Sequence, residues 1–240
     1  KYRAILVEGN DERGIDIGFL VKNDLPLATR FTSYRDLDWY DSFGQETVPM
    51  FSRDLPTIEF SDADSPSNTL FAVIGNHAKS KRDRDSDFES VRYRTAQYQA
   101  ATKIVKQYRK RGIPIIFGGD FNVDVRTDAE VKPLKSVLTS AFDVAESTLP
   151  VDQRITHTFH PKDGPSHFAQ MDDLMVSSDL RKYVSSASVV RYHNDQGEIL
   201  PVPQTYEQRA LQPSDHFPVM IDISTVEIFG KRSKHKKKKK

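Results

Sequence analysis

The chain has no cysteine, a single tryptophan and four methionines among 240 residues. Without cysteine there are no disulfides and no thiolate metal sites. Apolar runs are also short, and none approaches the roughly 18–20 residues of a membrane span. The stretch does not begin with Met, and no signal peptide is expected from its opening residues. The chain opens inside a strand-like run, Lys1-Tyr2-Arg3-Ala4-Ile5-Leu6-Val7, so its start reads as a boundary of processing or preparation. A long basic face is missing too, although the formal net charge is +1. Eight of the 35 Lys and Arg residues lie in 231–240, a stretch without acids. The other 230 residues carry 27 basic against 34 acidic groups, about −7, which excludes a general nucleic-acid binder with a basic footprint. Clustered acids instead leave room for cations.

What is present is a composition that folds in water, 37% hydrophobic and 29% charged, with length for one large domain or two small ones. The reading is one domain over 1–230 and a disordered basic tail over 231–240, because its like charges repel and nothing in it can be buried. Such a tail adds affinity for polyanions without choosing among them, or serves as an added solubility tag. Short β-type runs alternate with turn clusters. Strands are expected at Arg3–Glu8, Ile15–Lys22, Asn68–His77, Pro114–Phe117, Thr156–His160, Met171–Ser177, Ala187–Tyr192 and Phe217–Val226. Gly9–Gly14 joins the first two as a hairpin. A helix is expected over Glu89–Arg111, with Val91, Ala96, Ala100, Ile104 and Tyr108 on one face and Gly112 as its stop. A shorter one covers Val131–Thr139. Strands dominate and several lie too close for helical crossovers, so the pattern favours an α+β fold of two packed mixed sheets with helices outside.

Chemistry-bearing side chains sit at strand ends. Asp120 and Asn122 flank Phe121 just after the run Ile113–Phe117, and Gly118-Gly119 lets the backbone bend and approach a ligand closely. A tight Asx-capped turn has the same sequence. Asp215-His216 precedes the last strand, and His77 ends the run from Leu70. Surface turns and structural histidines also look like this. In Met171-Asp172-Asp173-Leu174, an acid opening a buried strand needs a partner, and an imidazole oriented by a carboxylate is a recurring catalytic arrangement. Arg94 and Gln97 share a helix face that a solvated surface explains equally well. Lys81–Asp87 is a loop of alternating charge, and Tyr192–Pro213 a long loop beside Asp215-His216.

Taken in order, these stretches resemble the endonuclease/exonuclease/phosphatase superfamily, the fold of pancreatic-type deoxyribonuclease, abasic-site endonucleases, sphingomyelinases and inositol-polyphosphate phosphatases. The matching segments are Asp11-Glu12-Arg13-Gly14-Ile15-Asp16-Ile17, Arg53-Asp54-Leu55-Pro56, Gly75-Asn76-His77-Ala78-Lys79-Ser80, Gly119-Asp120-Phe121-Asn122, Met171-Asp172-Asp173-Leu174 and Ser214-Asp215-His216. The resemblance implies a four-layer α/β/β/α sandwich and a metal-dependent phosphodiester hydrolase using Mg²⁺ or Mn²⁺, with a nucleic acid or another phosphodiester as substrate. It implies that Asp120 activates the attacking water and Asn122 stabilises the pentavalent phosphate. His216, oriented by Asp172, moves the proton, and His77 stands at the phosphate or leaving oxygen. Asp215 lies near the metal with Asp120. Arg13, Asp16 and Arg53 line the site or touch phosphate.

The departure from the family pattern is at the start. Its first strand carries an Asn and the next a Gln-Glu whose Glu is the principal metal ligand, and neither is found here. Gln45-Glu46 follows Ser42-Phe43-Gly44 in a loop. The expectation is therefore an N-terminally incomplete domain whose Glu is supplied by a missing segment, with weak activity or none by itself. Two other readings remain: a phosphomonoesterase or phospholipid or sphingolipid phosphodiesterase on the same fold, and a non-catalytic binding protein that lost its metal ligand. A lipid enzyme would expose aromatic groups, for which Trp39, Tyr40 and Phe43 are candidates. The resemblance slightly favours a secreted or periplasmic location.

Overall fold

The structure is a computed structural model that describes residues 1–224; the expected tail and the end of the last expected strand lie outside the described residues. Its strands are β1 (Tyr2–Leu6), β2 (Gly18–Lys22), β3 (Leu27–Thr32), β4 (Asp38–Asp41), β5 (Glu46–Pro49), β6 (Thr57–Asp62), β7 (Ser65–His77), β8 (Ile115–Asp120), β9 (Thr139–Ser140), β10 (Ser147–Thr148), β11 (His157–Phe159), β12 (His167–Ala169), β13 (Asp172–Val176), β14 (Val184–Val189) and β15 (Val219–Ile223). The helices are α1 (Val91–Lys110), α2 (Lys132–Lys135) and α3 (Tyr206–Ala210). The architecture is mixed α+β around a six-stranded sheet of order β3-β6-β7-β8-β13-β9. Only β7 and β8 run parallel within it, joined by α1 as crossover. A three-stranded sheet, β10-β14-β15, and three two-stranded ribbons complete the β structure.

Alternation sorts the central strands into two faces. Ala72, Ile74, Ile115, Phe117 and Met175 face α1, whose Tyr98, Ala101, Ile104, Val105 and Tyr108 bury against them. On the other face Phe71 and Val73 pack under the β1–β2 hairpin. Ile116 and Val176, on that same face, pack against Val184, Ala187, Val189, Val219 and Ile221 of the three-stranded sheet. The six-stranded sheet thus lies between a helical layer and a second β layer. The buried stripe of α1 contains the expected Ala100, Ile104 and Tyr108 and widens to Tyr93, Arg94, Gln97 and Tyr98, whereas Val91 is exposed. Asp87 accepts the Arg92 and Tyr93 backbone N–H groups at 3.0 and 2.9 Å, a carboxylate at the positive end of the helix. Gly112, at φ +74°, closes the other end.

Several strands fall outside the sequence expectation. β6 carries Glu59, fully buried between Ile58 and Phe60. Its carboxylate is held by Arg30 at 2.6 Å and Arg111 at 3.0 Å. The expected Val131–Thr139 helix shrinks to the single turn of α2, and α3 appears inside the loop expected at Tyr192–Pro213.

Candidate active site

Strand register builds the site. His77 at the end of β7 is the partner of Asp120 at the end of β8, and Asp120 is the partner of Asp172 at the start of β13. With strands about 4.8 Å apart, three in-register residues form a row on one face, here the face towards the second β layer. Asp173, one residue on, turns to the helical face and is fully buried, accepting from Ser140 Oγ at 3.0 Å and Gln170 Nε2 at 3.1 Å.

His216 extends the row. Its Nδ1 lies 2.7 Å from Asp172 Oδ2. The segment carrying it is zipped to β11 and its flank: the Phe217 N–H donates to Thr156 O at 2.7 Å, and the Thr158 N–H to Asp215 O at 3.0 Å. Tyr192 Oη donates to the His216 carbonyl at 2.7 Å. Thr156 Oγ1 accepts the Met171 and Asp172 N–H groups, both at 2.8 Å, which fixes the carboxylate that orients the imidazole. At the other end, His77 Nε2 lies 3.3 Å from Asp120 Oδ2. Asn122, at φ +52°, sits in the left-handed region that Asn tolerates. Its N–H donates to Asp120 Oδ1 at 2.7 Å, and its Nδ2 reaches Ala78 O at 2.9 Å and Asp120 Oδ2 at 3.1 Å. The Asn122 backbone N–H and one side-chain amide hydrogen thus hold Asp120, while the other amide hydrogen ties the turn to Ala78.

The glycine pair works differently from the expectation of a close approach to ligand. A Cβ on Gly118 would stand 2.2 Å from Leu174 Cδ2, and one on Gly119 2.0 Å from the Asn76 carbonyl oxygen. The close approach is between neighbouring strands, and it is what lets the row align.

The electrostatics set the groups apart. Burial, and then the neighbouring charge of Asp172, hold Asp120 above the usual carboxylate range. His216 loses from burial but gains more from the hydrogen bond and charge of Asp172, so its pKa is raised. Burial outweighs Asp120 at His77 and lowers it. One member was not anticipated from the sequence. His157 stacks on His216 with ring centroids 4.6 Å apart, and burial followed by His216 pushes it down to about 4. His157 alternates with the buried Thr156 and Thr158 in the stretch expected as a strand, but its nearness to His216 is set by the fold.

Two donor groups share His216. Asp120, Asp172 and His216 each offer a ligand atom within 4.8 Å of one another, and so do His157, Asp215 and His216. Hard carboxylate oxygens in the first group suit Mg²⁺ or Mn²⁺, which retains waters. The raised Asp120 beside Asp172 is the situation a cation relieves, so the residues fit such an ion. Asp215 is not brought together with Asp120. Its half-exposed carboxylate turns to Arg209 at 3.5 Å and His157 at 4.0 Å. Among the described residues no Glu joins either group. Asp16 accepts the Gly9 N–H at 2.7 Å. Arg53 is buried and donates to Ala78 O at 2.8 Å, the same carbonyl that Asn122 uses, while Arg13 and Arg53 both pair with Asp11.

No family model matches the sequence, and no curated protein does either. Solved structures do match. An endonuclease/exonuclease/phosphatase family protein from Bacteroides thetaiotaomicron aligns over 92% of this chain and 75% of its own, with TM-score 0.56 and 18% identity. A mannosyl-6-phosphatase from the same organism aligns over 93% and 77%, with TM-score 0.56 and 17% identity. Truncated Caenorhabditis elegans TDP2 aligns over 93% and 76%, with TM-score 0.59 and 17% identity. The chain has the endonuclease/exonuclease/phosphatase fold. Four of the stretches quoted above, those carrying His77, Asp120, Asp172 and His216, lie at the ends of β7 and β8, at the start of β13 and in the turn before β15, where the row assembles.

Proposed function

We propose that the chain is a divalent-metal-dependent phosphodiester hydrolase of the nuclease-like kind. The observation carrying this reading is the row His77–Asp120–Asp172–His216, with a buried, proton-attracting carboxylate at its centre and a carboxylate-oriented imidazole at its end. Asp120 orients the attacking water and takes its proton as the oxygen–phosphorus bond forms in line. The bond to the leaving oxygen breaks, and that oxygen receives a proton from His216, whose cationic form the Asp172 carboxylate favours. Asn122 and His77 position Asp120 from two sides. Bound through Asp120 and Asp172, Mg²⁺ or Mn²⁺ would supply charge neutralisation at the phosphate.

The test is hydrolysis of bis(p-nitrophenyl) phosphate and nicking of supercoiled plasmid with Mn²⁺ or Mg²⁺. Metal-dependent cleavage should fall at least 100-fold in Asp120→Ala and in His216→Ala. Turnover that survives both changes would exclude the assignment. The lipid reading keeps one observation, since Tyr40 and Phe43 are exposed although Trp39 stacks on Tyr93. Cleavage of sphingomyelin vesicles with no plasmid nicking would favour it. The mannosyl-6-phosphatase likeness makes a sugar monophosphate the corresponding control.

A further inference from the structure

Beside the row lies a cavity of about 430 Å³ lined by Arg13, Arg53, Lys79, Arg82 and Arg84, with Asp11 and Glu12 as its acids. Five cations against two acids gather here on a body that is acidic overall. The two acids do not satisfy them. Asp11 is shared by Arg13 and Arg53, and Arg84 turns one nitrogen to Glu46 at the rim. No carboxylate pairs with Lys79 or Arg82 among the described residues, and the buried Nη1 of Arg84 has no hydrogen-bond partner. Burial, followed by Arg53, Arg84, Arg13 and Arg82 in turn, lowers the pKa of Lys79. Crowding of this kind is relieved by an anion.

The cavity is built from buried parts. Lys79 is gripped through its backbone by two side chains of α1. Gln97 Oε1 accepts its N–H at 2.9 Å, and Arg94, fully buried, donates to its carbonyl at 3.0 Å. Arg84 stacks over Tyr93, its guanidinium carbon 4.7 Å from the ring centre. The link to the row is short, because Arg53 and Asn122 donate to the same Ala78 carbonyl and Lys79 is the next residue.

We propose that this cavity seats a second phosphate of the substrate, adjacent to the phosphate that is hydrolysed. Guanidinium forks and an ammonium converging on one space match the several oxygens of a phosphate better than a single carboxylate. The inference rests on the phosphodiesterase reading and narrows it to substrates with at least two phosphates. The second group can come from a neighbouring diester in a strand or from a terminal monoester, and the chemistry that recognises it is shared.

The experiment is calorimetric binding of dTpdT, pdTpdT and dTpdTpdT to the Asp120→Asn protein, in which hydrolysis is blocked. We expect the two-phosphate ligands to bind at least tenfold more tightly than dTpdT, from one charge-assisted contact set. Preference for pdTpdT would identify a terminal monoester as the source, and equal gain with dTpdTpdT a strand. Adding Lys79→Gln and Arg82→Gln, neither side chain having an acid partner, should erase the gain and flatten the salt dependence for the second phosphate, with dTpdT affinity kept. Equal affinities for all three ligands, no binding at all, or a gain unchanged in the double variant would overturn the proposal. Bis(p-nitrophenyl) phosphate carries one phosphate, so its turnover by the unsubstituted chain reports the hydrolase reading separately.

Discussion

Asp172 turns towards the cleft and takes His216, while Asp173 is sealed against the helical face with Ser140 and Gln170 as side-chain donors. Burial outweighs those two hydrogen bonds and pushes Asp173 up to about 7. An acid whose folded pKa is raised makes the folded state bind more protons than the unfolded chain between the two values, so stability falls as pH rises through that window. The window here runs from about 4 to 7. Asp173→Asn keeps the shape and removes the charge. Relative to the unsubstituted chain it should gain little at pH 4 and of the order of 4 kcal/mol above pH 7, the linkage equivalent of the shift. Urea unfolding of both proteins at pH 4, 6 and 8 measures this. A difference independent of pH would mean that Asp173 is not the titrating group.

The decisive elements are β7, β8 and β13, whose alignment needs both glycines of β8. Gly119 stands at φ +135°, a conformation L side chains rarely adopt, and its missing Cβ leaves room for the Asn76 carbonyl. Gly119→Ala would press a methyl group into backbone that cannot yield. The expected cost is above 4 kcal/mol, the range reserved for such mechanisms. Gly112 makes the comparison clean: it has a positive φ of +74° and nothing within 4 Å of a Cβ. Gly112→Ala should therefore cost only the left-handed penalty of about 1–2 kcal/mol. Denaturant midpoints of the two variants, taken side by side, would refute the steric account if they matched. The sequence made this region legible because its apolar run ends in Gly-Gly-Asp, one neighbour ends in His77 and the other begins with Asp172. It could not say that the glycines serve strand packing, since that depends on Leu174 and Asn76 from other strands.

At the scale of the whole molecule, legibility follows whether a signal is local. β7, β8, β13 and α1 were readable because burial on a regular period writes itself into consecutive residues. β6 was hidden by Glu59, whose partners Arg30 and Arg111 lie on β3 and just beyond α1. His157 and the basic cavity were hidden for the same reason: stacking on His216 and convergence of the segments around Arg13, Arg53 and Arg84 are products of the fold. In the site itself, Asp120, Asp172, His216 and His77 were identified from the sequence and are brought together; Asp215 joins His216 in the second donor group, and Asp16 accepts the Gly9 N–H.

The assembled row also places two carboxylates side by side with burial opposing the charge of one, which makes ion binding and folding a coupled event. A cation that binds only the folded chain stabilises it by mass action, about 2.7 kcal/mol at a concentration one hundredfold above its Kd. For a chain of this size that corresponds to a Tm rise of roughly 5–10 °C. Calorimetric scans with and without Mn²⁺ should show this rise, independently of any catalytic assay. Asp120→Asn removes the carboxylate that burial disfavours, so its metal-free Tm should equal or exceed that of the unsubstituted chain while its Mn²⁺ response disappears. If the response survives in Asp120→Asn and is lost in His157→Ala, the ion belongs to the group formed by His157, Asp215 and His216, and the central row works without it.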